Sequence, residues 1–233
     1  MDEHSILNDL MRQGKARLFP SLTDPNWLVL RERRRIFERW LAQLPSKDLK
    51  VLDVGGRIQP YRILIADRIR QYIAVDLRLT ALVDVIGNAE HLPLRAAHFD
   101  LVICTQMLEY VPEPASAVAE IFRVLKPGGM FLLSVPSAAP DAGQERWRLL
   151  PAGLRSLLTS FQRVEVVPEG SSVAGLFRTV NVCLDIFARY ATVRLLYRHS
   201  FCPILNLSGA LAEKLSGGRN QQFSVNYSVL AKK

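Results

Sequence analysis

The sequence predicts an α/β fold, namely a doubly wound, mostly parallel seven-stranded sheet with an antiparallel edge strand and helices on both faces. Two observations predict it. From residue 49 onward, short apolar runs alternate with segments of helical periodicity, which is typical of strands buried on both faces and joined by helical crossovers. Residues 223–231 instead alternate apolar and polar side chains, which indicates a half-exposed strand of the kind found at an antiparallel edge.

The N-terminal segment precedes this pattern. The first 25 residues are predicted to be irregular, because Gly14, Pro20 and Pro25 interrupt regular structure. Residues 31–44 form a predicted helix with one apolar face, and its arginines are expected to lie in water on the other face. This helix is expected to pack on the main domain, with a membrane surface as the alternative. The sequence therefore divides into an N-terminal arm and helix, residues 1–48, and a main domain, residues 49–233.

The main domain contains the predicted strands, two helices and an insertion. Helical spacing predicts helices at residues 61–70 and 114–125, and Pro114 occupies a first-turn position that favours proline. An apolar, arginine-containing insertion at about residues 172–216 is predicted to be helical and to form either a lid on the substrate side or a membrane-surface element. The predicted strands are residues 49–54, 72–75, 82–86, 99–104, 130–135, 161–167 and 223–231.

Composition excludes several classes of protein. The chain has 233 residues, 49% of them hydrophobic, which is ordinary for a folded domain and excludes wholesale disorder. Its longest stretches without a charged residue contain fourteen residues, whereas a membrane-spanning helix needs roughly 18. The three cysteines form no CxxC pair, which argues against a disulfide framework or a metal site and fits a reducing cytoplasm. No apolar secretory signal is visible at the N-terminus.

The net charge of +8 is concentrated in the C-terminal part. Residues 136–233 hold twelve basic and six acidic residues, so this segment carries +6. A positive field attracts anions, such as a phosphate-bearing ligand, a nucleic acid or an anionic lipid leaflet. The alternative interpretation is that the basic surface only keeps the protein in solution.

A glycine turn and two acids mark the predicted ligand site. Gly55 and Gly56 follow Asp53 at the end of the first strand, where the carboxyl edge of an open α/β sheet binds ligands. Asp76 ends the second strand, twenty-one residues after Gly55, and this offset suits a carboxylate that accepts hydrogen bonds from ribose hydroxyls. Arg57 stands where a dinucleotide fingerprint requires its second glycine, so the pattern favours a nucleoside over a dinucleotide.

Residues 48–136 resemble the class I S-adenosylmethionine-dependent methyltransferases, whose Rossmann-like fold agrees with the predicted sheet. The resemblance rests on the glycine turn, the acid after the second strand, NAEHLP before the fourth strand, FDLVICTQMLEYV, and KPGG before the fifth strand. The terminal NYSVLAKK is similar to the final antiparallel strand of the family. Within the family, Pro60-Tyr61-Arg62 and Arg146-Trp147-Arg148 most resemble bacterial methyltransferases that act in glycan or cell-envelope lipid biosynthesis.

The resemblance implies S-adenosyl-L-methionine as cofactor and assigns roles to several residues. Asp76 would hold the ribose, and Leu77 would pack on the adenine. Arg57 departs from the family's usual glycine and would be strained if its φ were positive. The loop Asp53, Gly55 and Gly56 would surround the methionine part, Asn88 and Ala89 would contact the adenine edge, and Cys104, Thr105 and Gln106 would close the far side.

The acceptor side is less defined by sequence. Glu109 and Tyr110, which follow the fourth strand, are candidate substrate residues, as are Arg146 and Arg148, whose guanidinium groups suit phosphate or carboxylate recognition. Glu109, Tyr110 and Gln106 lie where a general base would act, but the sequence does not select one, so no catalytic base is named. Packing and turn-capping roles stay open for these residues.

The resemblance implies methyl transfer to an oxygen or nitrogen of a small-molecule, glycan or lipid-linked acceptor. The cysteine pattern and the apolar, arginine-containing insertion predict a cytoplasmic protein that either stays free or contacts the inner face of the membrane. One alternative is an RNA methyltransferase, although no RNA-binding module or aromatic-basic stripe is visible and nucleic acid is not expected as a partner. Another alternative is a non-catalytic module of the same fold that binds or docks to a membrane.

Overall fold

The computed structural model describes residues 3–138, 140, 143–217 and 220–233. The described helices are α1 (Glu3–Leu18), α2 (Trp27–Leu41), α3 (Pro114–Val124), α4 (Pro151–Leu157), α5 (Ser172–Phe187), α6 (Ala191–His199) and α7 (Phe201–Leu215). The described strands are β1 (Leu49–Val54), β2 (Ile69–Asp76), β3 (Val85–Ile86), β4 (Phe99–Thr105), β5 (Leu125–Pro136), β6 (Arg163–Pro168) and β7 (Asn226–Lys232). Short 3-10 helices span Arg62–Arg68 and Leu108–Tyr110.

The predicted fold class is confirmed. The strands form one seven-stranded sheet in the order β3-β2-β1-β4-β5-β7-β6. The pairs from β3 to β5 are parallel, whereas β7 is antiparallel to both β5 and β6. The antiparallel strand therefore lies one position inside the edge, and β6 occupies the edge itself. Because the strand order reverses at β1, a crevice is expected at the carboxyl ends of β1 and β4.

The helical arm corrects the prediction that the first 25 residues are irregular. Glu3–Leu18 is a helix, and Gly14 lies within it. A Cβ at Gly14 would stand 2.2 Å from the carbonyl oxygen of Ile58, in the loop after β1. This glycine therefore permits close packing of α1 on that loop, a role that its local helix-breaking tendency does not reveal.

Helix α2 has the predicted apolar face, and that face packs on the sheet. Phe37 and Trp40 are buried in a cluster with Val51, Leu101 and Leu132 of the central strands. The expectation that its arginines all lie in water is wrong for one residue, because Arg33 is only 3% exposed. Sequence spacing alone does not indicate that this arginine turns inward.

A buried polar network joins α2 to the sheet. Arg33 Nε and Nη2 each lie 2.9 Å from a carboxylate oxygen of Glu169, which is 1% exposed. The hydroxyls of Ser134 and Ser228 donate to Glu169 Oε1 at 2.6 and 2.7 Å. The prediction that the polar face of the last strand is exposed is therefore wrong, because Ser228 and Asn226 of β7 are buried on the side that holds this network.

The predicted insertion is helical and lies outside the sheet. Helices α5 and α7 pack closely, since a Cβ at Gly209 would stand 2.8 Å from Cβ of Phe177. Asn181 Nδ2 donates to Asn206 Oδ1 at 2.9 Å between these helices. Helix α6 contributes no buried side chain. Across the described part of the chain, none of the helices has both the length and the apolar character needed to cross a membrane.

Candidate functional site

Two adjacent cavities open at the carboxyl ends of β1, β2 and β4, and because they share lining residues we call them the small lobe and the large lobe of one site. The small lobe has a volume of about 330 Å³, and the large lobe has a volume of about 780 Å³. Residues of the glycine turn, the end of β2 and the segment after β4 line both lobes. These shared residues are Gly55, Arg57, Asp76, Arg78, Met107 and Tyr110.

The glycine turn is shaped by close backbone packing. The Gly55 amide donates to the carbonyl oxygen of Val75 at 2.8 Å, and Gly55 has φ +79°, which favours glycine. A Cβ at Gly55 would stand 2.7 Å from Cγ of Met107, and both residues line both lobes. Gly56 supports the turn from behind, because a Cβ there would stand 2.9 Å from the side chain of Asp53, and it does not line either lobe.

Asp53 is a buried acid in the wall of the large lobe. The Tyr72 hydroxyl donates to Asp53 Oδ2 at 2.6 Å. Burial raises the pKa of Asp53 to about 6, the hydrogen bond from Tyr72 opposes this rise, and the charge of Asp76 adds to it. The Asp53 carboxyl group therefore changes charge in the range just below neutral pH.

Asp76 lies where the two lobes join. Its Oδ1 accepts a hydrogen bond from the Arg78 amide at 2.9 Å, which fixes the carboxylate at the end of β2. Leu77 lines the small lobe and is 70% exposed, so its apolar surface is available to a flat ligand. A carboxylate and an uncovered leucine side chain thus adjoin the same lobe.

The opposite wall of the small lobe contains Asn88 and Ala89. Asn88 Nδ2 donates to Glu90 Oε2 at 3.0 Å, and its Oδ1 accepts from the Glu90 amide at 3.0 Å. Glu90 also lines this lobe, and its Oε1 accepts from the Glu113 amide at 2.9 Å. Sequence reasoning missed Glu90, although it follows the two predicted residues directly.

Arg57 is exposed and lies at the rim of both lobes. It is not among the described residues with positive φ, whereas Gln59 in the same loop has φ +42°. The backbone strain expected from replacing a glycine at position 57 is therefore absent.

The end of β4 divides between core and cavity. Thr105 and Gln106 line the large lobe, and Gln106 has φ +52° and donates through Nε2 to Ser134 Oγ at 3.3 Å. Cys104 belongs to the hydrophobic core, where burial raises the pKa of its thiol, and it lines neither lobe. The structure thus brings together two of the three residues predicted here.

Glu109 is a buried carboxyl group in the wall of the large lobe. The residue is 1% exposed, and its Oε2 has no hydrogen-bond partner. Burial raises the pKa of Glu109 to about 7, and the nearby charge of Glu145 contributes to the rise. Tyr110 is 41% exposed and lines both lobes, so both candidates that follow β4 adjoin the cavity.

Arg146 and Arg148 line neither lobe. The Arg146 amide donates to the Glu109 carbonyl oxygen at 2.7 Å, while its side chain is exposed. The Arg148 guanidinium pairs with the Glu145 carboxylate, which does line the large lobe. The segment that follows β5 therefore positions Glu145 at the cavity and holds the predicted arginines outside it.

The remaining wall of the large lobe comes from segments that the sequence did not connect to the site. The N-terminal arm supplies Arg17, Asn26 and Arg33, and α5 supplies Arg178, Val182 and Ile186. The only signal in the sequence is the presence of arginines on α2 and in the insertion. Periodicity does not show which of these arginines point inward.

Arg178 is a cavity cation whose hydrogen bonds are only partly satisfied. Its Nε and Nη2 donate to Asn26 Oδ1 at 3.0 and 2.8 Å, and its Nη1 has no hydrogen-bond partner. Burial lowers the pKa of Arg178 to about 10, and the charge of Arg33 lowers it further. A partly buried guanidinium with a free donor is suited to hold a carboxylate or phosphate.

Comparison with known proteins gives related sequences and a related fold. Residues 52–133 match a family model described as a methyltransferase domain. The chain is 32% identical over 146 residues to "Probable S-adenosylmethionine-dependent methyltransferase" of Mycolicibacterium smegmatis, a match that covers 58% of this chain and 56% of that protein. It is 30% identical over 155 residues to the ubiquinone/menaquinone biosynthesis C-methyltransferase UbiE of Dinoroseobacter shibae, covering 62% and 58% respectively.

The fold extends over nearly the whole chain. The crystal structure of a SAM dependent methyltransferase from Archaeoglobus fulgidus superposes with a TM-score of 0.54 at 16% identity, covering 94% of this chain and 97% of that chain. By contrast, the chain spans little more than half the length of the two curated relatives, 56% and 58%. The sequence matches therefore support a methyltransferase domain and S-adenosyl-L-methionine as its cofactor, while the substrate requires separate argument.

Proposed function

We propose that this chain, whose residues 52–133 match a methyltransferase domain, is a class I S-adenosylmethionine-dependent enzyme that transfers the methyl group of S-adenosyl-L-methionine to a small-molecule acceptor. One observation carries the proposal. The two lobes meet at Gly55 and Asp76, so that one cavity offers a nucleoside-sized space beside a second, larger space for an acceptor. Such a crevice at the carboxyl edge of the sheet is the expected ligand site of this topology.

The residues present fit the cofactor. Gly55 lines both lobes at φ +79°, and a Cβ there would stand 2.7 Å from Cγ of Met107, so glycine lets the turn pack against Met107 at the place we assign to the methionine part of the ligand. We assign the ribose hydroxyls to the Asp76 carboxylate. The proposed adenine contacts are Leu77, Asn88 and Ala89, the proposed methionine-side contacts are Asp53, Gly55, Thr105 and Gln106, and Gly56 and Cys104 support the wall from behind.

Glu109 is our proposed general base. When bound, the cofactor supplies an already activated methyl group, so the protein has to hold the acceptor atom in line and accept its proton. Glu109 lines the large lobe, and its Oε2 has no hydrogen-bond partner. The pKa of this carboxyl group, about 7, allows it to gain and release a proton near neutral pH. An acceptor hydroxyl or amine that hydrogen-bonds to Glu109 would lose its proton to Oε2.

We further propose an acceptor that carries an anionic group, as in a phosphate-bearing glycan or lipid-linked intermediate. The support is the partly satisfied guanidinium of Arg178 in the large lobe, opposite in charge to such a group. One relative is named for quinone biosynthesis, and this also agrees with an acceptor that has a polar head and an apolar tail. The arm, residues 1–48, would act as part of the acceptor site, because Arg17 and Asn26 line the same lobe.

Isothermal titration with S-adenosyl-L-methionine tests the core of this proposal. We expect the wild type to bind and Asp76→Ala to have at least a tenfold higher dissociation constant, because charge-assisted hydrogen bonds contribute about 1.5–3 kcal/mol. The matched control is Asp67→Ala, an exposed acid that lines neither lobe and should bind like the wild type. No heat with the wild type, or equal affinity in both variants, would remove the proposal.

A labelling experiment separates catalysis from binding alone. The protein is incubated with methyl-tritiated cofactor and bacterial envelope lipid and glycan extracts. We expect the label to enter an extractable small molecule, and to do so much more slowly with Glu109→Gln. If the protein binds the cofactor but transfers no labelled methyl group to any fraction, the result would favour a non-catalytic module of the same fold.

A further inference from the structure

The insertion presents a large apolar surface, which we call the insertion face and define as the exposed side chains of α5, α6 and α7. Of the twenty-five large apolar side chains that are exposed in the described residues, fourteen lie between residues 176 and 215. Phe187 and Tyr190 are 77% and 74% exposed at the turn into α6. Exposed apolar side chains concentrated on three helices that pack on one another are typical of a site of interaction, whereas exposed residues scattered singly are not.

Helix α6 is the outermost part of the insertion face. None of its side chains is buried, and Leu195 and Leu196 are 61% and 68% exposed. The packing of the insertion depends on α5 and α7, which share the Asn181–Asn206 hydrogen bond and the close contact at Gly209. The leucines of α6 therefore do not contribute to the core, and their side chains are available for contact with a partner.

The charges of the insertion face have one sign. Residues 172–217 contain two acids, and both are paired: Asp185 with Arg198 at 2.6 Å and Glu213 with Arg31 at 3.1 Å. Arg189, Arg194 and Lys214 are exposed. The exposed apolar side chains are thus accompanied by cations alone, the combination that interfacial helices use on anionic lipid surfaces.

We propose that the insertion face docks on the surface of an anionic lipid bilayer. A second copy of the chain fits the surface less well. A two-fold dimer places the same patch on both partners, so Arg189 and Arg194 of one copy would meet the same cluster of cations on the other. A bilayer with anionic headgroups neutralises these cations and buries the leucines between them.

Docking places the mouth of the cavity at the bilayer. Ile186 lines the large lobe and also belongs to the insertion face, where it is 52% exposed. Val182, one turn earlier on α5, lines the same lobe, so an apolar path leads from the face into the cavity. Resting on the proposed function, this path identifies the acceptor as an amphiphile whose anionic head reaches Arg178 while its tail stays in the bilayer.

Flotation with vesicles tests the docking, and it needs neither cofactor nor turnover. The protein is mixed with phosphatidylcholine vesicles or with vesicles that contain ~30% phosphatidylglycerol and is then centrifuged through a density gradient. We expect the wild type to float with the anionic vesicles. Arg189→Gln combined with Arg194→Gln should weaken partitioning roughly 30-fold, because each cation near an anionic surface contributes about 1 kcal/mol.

A matched pair of variants separates the face from general surface effects. Leu195→Glu with Leu196→Glu should reduce partitioning more than tenfold, because two leucines no longer enter the interface and two negative charges face the lipid. The control Ile63→Glu with Leu150→Glu makes the same chemical change at side chains that are 62% and 61% exposed elsewhere. It should float like the wild type, and circular dichroism checks that both variants are folded.

Three results would overturn the proposal. The wild type could stay at the bottom of the gradient, or the α6 variant could float as well as the control. Light scattering could also show a dimer that Leu195→Glu with Leu196→Glu converts to monomers, which would assign the face to a second copy. Because titration with S-adenosyl-L-methionine does not depend on vesicles, failure of docking and failure of the proposed function give different results.

Discussion

The Arg33–Glu169 network provides the sharpest prediction about stability. Replacing Glu169 with Gln removes the carboxylate charge that faces the Arg33 guanidinium, while both residues are almost fully buried at 1% and 3% exposure. The charge of Glu169 contributes to the raised pKa of Arg33, so the guanidinium stays charged and loses its counter-ion. Removing one member of a buried pair costs about 3–5 kcal/mol, because the other charge remains without compensation.

Urea denaturation measures this cost. With an m-value of ~3 kcal/mol per molar urea for a domain of this size, we expect the midpoint of Glu169→Gln to fall by about 1–1.7 M. The control is Glu165→Gln on β6, four residues before Glu169, where the carboxylate is 35% exposed and lies 3.7 Å from Arg163. This variant should lose less than ~1 kcal/mol, as is typical of exposed pairs.

The double variant Arg33→Met with Glu169→Leu completes the test. It removes both charges, so it should recover most of the stability that Glu169→Gln loses. A midpoint for Glu169→Gln within the range of the Glu165→Gln control would refute the reasoning. Equal destabilisation by the single and double variants would show that shape and the serine hydrogen bonds dominate, and not the uncompensated charge.

Three further predictions concern the turn, the arm and the buried acid. Gly55→Ala should lower the affinity for S-adenosyl-L-methionine in titration, because its Cβ would stand 2.7 Å from the Met107 side chain at φ +79° and would force the turn that lines both lobes to shift; unchanged affinity would contradict the assignment. Gly14→Ala should lower the melting temperature, because its Cβ meets a backbone oxygen at 2.2 Å, whereas Gly153→Ala, with open space around it, should match or exceed the wild type. The pKa of Glu109 is raised from 4.5 to about 7, so the free energy of unfolding of the wild type declines as pH rises through this range. Glu109→Gln should therefore be more stable than the wild type by roughly 3 kcal/mol at pH 8 and equal to it at pH 4. Equal melting temperatures of the two proteins at both pH values would contradict burial as the cause of the raised pKa.

The central sheet and the small lobe were predictable from the sequence because both depend on local patterns. Strand β1 begins and ends at the predicted residues 49–54, and Asp76 ends β2 as its run of apolar residues indicated. Gly55, Asp76 and Asn88 follow strands or a short motif directly, so the carboxyl edge of the sheet brings them together. No long-range packing had to be known.

The acceptor side was not predictable in the same way, because it depends on which side chains turn inward. Five arginines lie at residues 31–39 of α2, and only the position of Glu169 on a distant segment explains why Arg33 is buried. The alternation in β7 predicted that its polar side chains face solvent. Ser228 is buried instead, and its hydroxyl donates a hydrogen bond to Glu169 inside the protein. Similarly, Arg178 lies in the cavity through its contact with Asn26, while Arg146 and Arg148 lie outside it.

The most direct test of the central claim is a crystal structure with S-adenosylhomocysteine bound. We expect the adenine in the small lobe beside Ala89, the ribose hydroxyls on the Asp76 carboxylate, and the sulfur at the junction with the large lobe that Glu109 lines. An adenosyl group bound elsewhere, or a ribose that makes no contact with Asp76, would contradict the account.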